Sequence, residues 1–91
     1  MNEVFAALAH PVRRDILKLL RKRAMSAGDI AEHFPIAKPT LSGHFTVLKH
    51  AGLVQTERKG TTIIYRLNMS VVEEALAAFM ALTGVNKGER K

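Results

Sequence analysis

A chain of 91 residues makes one domain, near the size at which a lone polypeptide buries only part of its apolar surface, so a partner chain is expected from the outset. Fourteen Lys and Arg against eight Asp and Glu give a net charge of +6 and a pI near 10.2, which favours a polyanionic partner, either nucleic acid or an acidic membrane surface. The lack of cysteine excludes a disulfide framework, a thiolate metal site and a thiol nucleophile. The opening MNEVFAALAHPVRRD has no basic segment ahead of a long apolar run, and no stretch approaches the roughly 18 apolar residues that span a bilayer, so a cytoplasmic, soluble chain is expected.

Val4, Phe5 and Leu8 form a short apolar stripe at helical spacing. His10-Pro11 then opens a second helix, because the missing proline N–H is not needed at the first helical position. Val12, Ile16, Leu19 and Leu20 recur at i, i+4, i+7 and i+8, which leaves Arg13, Arg14, Lys18, Arg21 and Lys22 on a basic outer face. Ser26 with Asp29 three residues on fits a capping box, and the third helix it starts would turn Ala27, Ile30, Ala31 and Phe34 inward until Pro35 stops it. Pro39 restarts a fourth helix with Leu41, Phe45 and Leu48 inward, and Gly52 ends it as a left-handed cap. The runs LVQTER and TIIYRL read as two strands joined through Lys59-Gly60. Ser70 and Glu73 fit the start of a fifth helix, which carries Val71, Val72, Leu76, Phe79, Met80 and Leu82 and ends at Gly84.

Two short helices joined by a turn of about four residues make a helix-turn-helix, and the hairpin after it makes the wing. The expected class is therefore α+β, mostly α: a winged helix-turn-helix of five helices, with a two-stranded β-hairpin between the fourth and fifth. Residues 1–84 form the DNA-binding and dimerisation domain in this scheme, and 85–91, a polar segment, a disordered tail. No internal repeat or linker is visible.

The block GDIAEHFPIAKPTLSGHFTVLKHAGLV followed by RKGTTIIYRL resembles the ArsR family of bacterial winged helix-turn-helix repressors, and within it the SdpR-type autorepressor branch that lacks the metal site. The likeness covers Val4 to Met80 and rests on the S-x-H-F-x-x-L-x-x-A-G-L-V run and on the basic wing with a tyrosine in its second strand. It implies a transcription repressor acting as a homodimer on a palindromic promoter site, its own promoter being one candidate. The chains would pair through the first and last helices, with Val4, Phe5, Leu8, Val72, Leu76, Phe79 and Met80 in the seam.

The residues make a case for DNA independently. With Leu41, Phe45 and Leu48 inward, the opposite face of the fourth helix offers Pro39, Gly43, Thr46 and His50, flanked by Thr40, Ser42 and Val47. Hydroxyls of this kind bond base edges or phosphates in a major groove, while Lys38 reaches a phosphate or a guanine. From Lys38 to Arg66 five basic residues face one acidic residue, which concentrates the charge on this half. The expected DNA-contacting set is Lys38, Pro39, Thr40, Ser42, Gly43, His44, Thr46 and Lys49 from the helix, with Arg58, Lys59, Gly60, Thr61 and Tyr65 from the wing. Gly43 stands out, since a mid-helix glycine destabilises by roughly 0.5 to 1 kcal/mol relative to alanine. Either the missing side chain lets the backbone approach the bases closely, or the position is merely tolerant and fewer bases are read.

Four histidines, His10, His33, His44 and His50, raise the question of a metal, but third ligands are scarce: Glu73 and Glu74 are adjacent and diverge, and His33 with His44 supplies only two imidazoles. No metal and no cofactor are expected. His10 reads as a local cap, His44 as a packing or phosphate-contacting residue and His50 as a surface residue. The basic face of the second helix either supports the DNA backbone or is only solvated. The apolar band of the last helix is expected to be a dimer seam with some core; a membrane-lying face would want Lys and Arg where Glu73 and Glu74 stand. No pair of groups has the spacing for acid and base catalysis, so an enzyme is not expected. Two rivals remain: a winged-helix module that docks on a protein partner, and a repressor responding to a histidine-bound metal. With no thiol or metal site to sense a signal, release from DNA falls by elimination to an antagonist protein or to changing repressor concentration.

Overall fold

The computed structural model describes residues 1–84, so the expected disordered tail, 85–91, lies outside the described residues. Five helices and three strands follow one another as α1 (Asn2–Leu8), α2 (Pro11–Lys22), β1 (Met25–Ser26), α3 (Ala27–Ala31), α4 (Lys38–His50), β2 (Val54–Lys59), β3 (Thr62–Leu67) and α5 (Met69–Thr83). This is the winged helix-turn-helix expected from the pattern, with one strand more. Met25 and Ser26 pair antiparallel with Tyr65 and Ile64, giving a sheet in the order β1-β3-β2. Two residues carry no period, so nothing in the local sequence marks β1 as a strand; the free edge of β3 creates it.

Local chemistry explains most element ends. His10 caps α2 through its ring, Nδ1 accepting from the Val12 N–H at 3.1 Å, with Pro11 at the first helical position. Ser26 Oγ accepts from the Asp29 N–H at 3.0 Å and starts α3. The end of α4 is a Schellman turn: Gly52 at φ +78° donates to Lys49 O at 2.9 Å, and Leu53 donates to Leu48 O at 3.1 Å. Gly84, at φ +75°, caps α5.

Three boundaries differ from expectation. Regular α3 stops at Ala31, four residues before Pro35, because the chain tightens: His33 N–H bonds Ile30 O and Phe34 N–H bonds Ala31 O, each three residues back. The hairpin turn is Gly60-Thr61 rather than Lys59-Gly60, since Lys59 still pairs with Thr62 in the ladder. Gly60 takes φ +65° while Thr61 stays at negative φ, the signs of a type II′ turn, which suits the twist of the strands. Ser70 does not cap α5. The helix begins two residues earlier than a Ser70 cap would start it, with Asn68 at its head, because Asn68 is fastened to the turn that follows α4: its N–H donates to Leu53 O at 2.9 Å and its Nδ2 to Gly52 O at 3.0 Å.

The core lies where α1, α2, α3 and α4 meet the inner face of the hairpin. Ile16, Leu20, Ile30, Leu41, Phe45, Leu48, Leu53 and Val54 are buried in it. The inward stripe of α4 is thus the expected one, and it fixes which face of that helix looks outward.

Candidate nucleic-acid interface

The outward face of α4 is polar. Lys38, Pro39, Thr40, Ser42, Gly43, Thr46, Lys49 and His50 are all exposed, with Val47 the apolar member of the set. Their charges, and the hydroxyls of Thr40 and Ser42, face solvent. Thr46 Oγ1 donates to Ser42 O at 3.1 Å, so its hydroxyl hydrogen is engaged within the helix and its oxygen remains as an acceptor. A Cβ built on Gly43 meets nothing within 4 Å. The fold therefore does not require glycine there.

The wing carries its charge on two sides. Side chains alternate along a strand, so Arg58 shares a face with Ile63 and, farther down, with Tyr65, while Lys59 shares the other with Ile64 and Arg66. Tyr65 packs on Phe45 of α4 with ring centroids 4.9 Å apart, which puts Arg58 on the α4 side of the hairpin. Arg66 is committed to Glu57 by a 2.9 Å ion pair, so its charge is locally neutralised. Gly60 and Thr61 are exposed at the tip.

Two members of the expected contact set sit elsewhere. Tyr65 is only 8 % exposed, and burial pushes its phenol above the ordinary value of 10.0; it is a core residue that joins wing to helix. Periodicity in β3 could have shown this, since Ile63, Tyr65 and Leu67 alternate inward. His44 is half-buried at the edge of the α4 stripe, where its Nδ1 meets an Arg13 guanidinium nitrogen at 3.1 Å and its ring lies tilted against His10, with centroids 4.4 Å apart. Burial, then His10 and Arg13, hold its pKa below 6.5. The cation and the adjoining ring would both resist a second positive charge.

Arg13 and Arg14, assigned from sequence to an outer basic face, instead reach back to the end of α1. Arg13 donates to Ala7 O at 2.8 Å and to Ala6 O at 3.2 Å, and Arg14 donates to Leu8 O at 2.8 Å. Ala7 O and Leu8 O are carbonyls that the helix leaves unpaired at its C-terminus, where cations are favoured, while Ala6 O also accepts from the Ala9 N–H. No sequence signal announced that role.

A helix-turn-helix domain model matches residues 8–57. Over 98 % of its length the chain is 46 % identical to the transcriptional repressor SdpR of Bacillus subtilis, of which it covers 97 %. The chain belongs to the ArsR family of winged helix-turn-helix repressors. Another member, the arsenical resistance operon repressor of Staphylococcus xylosus, is 37 % identical over 75 % of this chain and 65 % of its own length. Among solved structures, an ArsR-like transcriptional regulator from Rhodococcus sp. RHA1 superposes with a TM-score of 0.79 at 29 % identity, covering 91 % of this chain and 77 % of that one. As an ArsR-family protein, this chain is a DNA-binding transcriptional regulator and not an enzyme. Among the described residues, no helix is long and apolar enough to cross a membrane.

Proposed function

We propose that this repressor acts in the cytoplasm as a homodimer on a palindromic promoter site, its own promoter being the first candidate. One observation carries the proposal: α5 exposes a continuous apolar stripe, with Leu76 at 58 %, Phe79 at 55 % and Leu82 at 77 % of their surface accessible, beside a groove of about 550 Å³ whose walls include Phe5, Leu8, Leu17, Val72 and Ala75. Large apolar patches of this kind mark a surface that another protein covers. Five of the seven expected seam residues, Phe5, Leu8, Val72, Leu76 and Phe79, line that groove, while Met80 lies half-buried on the same helix and Val4 is turned into the core. A two-fold pairing through this face would present two α4 helices for successive major grooves, about 34 to 36 Å apart.

In this arrangement Thr40, Ser42 and Thr46 read base edges, Lys38 and Lys49 meet phosphates, and Arg58 and Lys59 flank the backbone from the wing. Binding is independent of metal in this reading, which is supported by the engagement of two of the four histidines: the Nδ1 of His44 faces Arg13 and that of His10 accepts from the Val12 N–H. Release then falls to a protein antagonist or to dilution of the repressor.

Fluorescence anisotropy on the upstream promoter DNA and on a scrambled duplex, across a salt series and with or without chelator, tests this. Preferential binding that steepens as salt falls and ignores chelator is expected, with a dimer by sedimentation. Equal binding to both duplexes would defeat the operator assignment, and a chelator effect would defeat metal independence.

A further inference from the structure

Within the helical span of α4, Lys38–His50, the Arg13–His44 contact is, among the described residues, the one side-chain hydrogen bond to another element; the Asn68 bond to Gly52 O lies in the turn beyond. Arg13 is also bound to two carbonyls of α1, Ala7 O at 2.8 Å and Ala6 O at 3.2 Å. One guanidinium thus touches α1 and α4 while rooted in α2. A guanidinium is a rigid planar fork with five N–H donors and no acceptor, so its partners are held in fixed relation to one another. The His44 nitrogen that faces it has to be unprotonated, which places the proton of the neutral ring on Nε2. His10 closes the other side of the ring, and Val12 fixes the orientation of His10 in turn.

His44 lies between the buried stripe of α4 and the exposed Thr40 and Val47. The apolar anchors Leu41, Phe45 and Leu48 fix which face of the helix turns inward, but non-directional packing leaves a small range of roll about the helix axis. A directional bond at the edge of the stripe narrows that range.

We propose that Arg13 is a positioning residue for DNA recognition: by holding His44 as an acceptor it sets the roll of α4, and by holding the Ala6 and Ala7 carbonyls it ties that roll to α1, a wall of the apolar groove. The inference rests on α4 being the recognition helix. Lysine cannot replace Arg13 in this role, since a single ammonium on a flexible stem cannot hold three acceptors in one plane. The charged and titratable groups facing His44 are Arg13 from α2 and His10 from the α1–α2 junction, whereas α1 presents carbonyls.

The test compares Arg13→Lys, His44→Leu, His44→Asn and the Arg13→Lys/His44→Leu double variant, at a temperature where circular dichroism shows each fully folded. Affinity is measured for the promoter duplex and for its scrambled counterpart. Arg13→Lys and His44→Leu should each lower the ratio of the two affinities about tenfold, the effect of losing one charge-assisted hydrogen bond, and the double variant should fall no further. His44→Asn, which keeps an acceptor near the Nδ1 position, should retain most of the preference. Long-range ¹H–¹⁵N spectra should show His44 as the Nε2–H tautomer in the wild type and as a mixture in Arg13→Lys. A preference that survives Arg13→Lys, additive losses, or an unchanged tautomer would each overturn the inference. A wild type that shows no preference would overturn the promoter reading itself, a distinguishable outcome. Should Arg13→Lys fail to fold, the two His44 variants carry the test, because they leave the α1 bonds intact.

Discussion

The two long faces of this molecule are finished to different degrees. The face built from α4 and the wing is exposed and polar, with charges on Lys38, Lys49, Arg58 and Lys59 that no ion pair within the described residues consumes. The face built from α5 and α1 is exposed and apolar, with Leu76, Phe79 and Leu82 more than half accessible. Water tolerates the first and penalises the second by an amount that grows with exposed area. One face is stable in water as it stands, whereas the other is the one that the proposed second copy would cover.

The sharpest way to break that contrast is Phe79→Glu. Placing a charge on the apolar face should weaken self-association about 100-fold, or about 3 kcal/mol, by sedimentation equilibrium. Melting at concentrations where the wild type is monomeric should change little, since Phe79 is already 55 % exposed. Unchanged self-association would mean that the apolar face serves something other than a second copy.

On the polar face the wing offers a smaller, directional effect. Arg58 points to the α4 side of the hairpin and Lys59 to the opposite side, so Arg58→Ala should lower the slope of log affinity against log salt by about one, and Lys59→Ala by less. Equal losses would show that both sides of the wing meet the duplex.

Where the two faces join, His44 supplies a pH dependence. Its folded-state pKa lies below 6.5, chiefly through burial and then through His10 and Arg13, so the folded chain takes up this proton less readily than the unfolded one. The stability it contributes is full above pH 6.5 and is lost as pH falls from there through the lower folded value. The melting temperature should drop on acidification across that window, and His44→Leu should flatten the drop; an identical profile in the variant would remove His44 as the cause.

The smallest effect belongs to Gly43→Ala. With nothing within 4 Å of a built Cβ, the substitution should stabilise the fold by about 0.5 to 1 kcal/mol in urea. Its effect on DNA separates the two roles open to Gly43. Loss of affinity for the promoter duplex would indicate close backbone approach, and no loss a position that is merely tolerant.

Periodicity and caps determined much of this protein in advance. The apolar spacing of Leu41, Phe45 and Leu48 already assigned an inner and an outer face to α4, Ser26 and Gly52 already marked helix ends, and the alternation in TIIYRL already made a strand, because these signals act over a few residues. The exposed face of the candidate DNA site was legible for the same reason. Only the tertiary structure decided what depends on residues distant in sequence. β1 exists because β3 has an edge to offer, Asn68 rather than Ser70 heads α5 because it is tied to Gly52 and Leu53, and Tyr65 is core because Phe45 lies over it. Arg13 looked like one more surface cation in a basic run; 31 residues separate it from His44, and no local pattern in a sequence records a hydrogen bond across that distance.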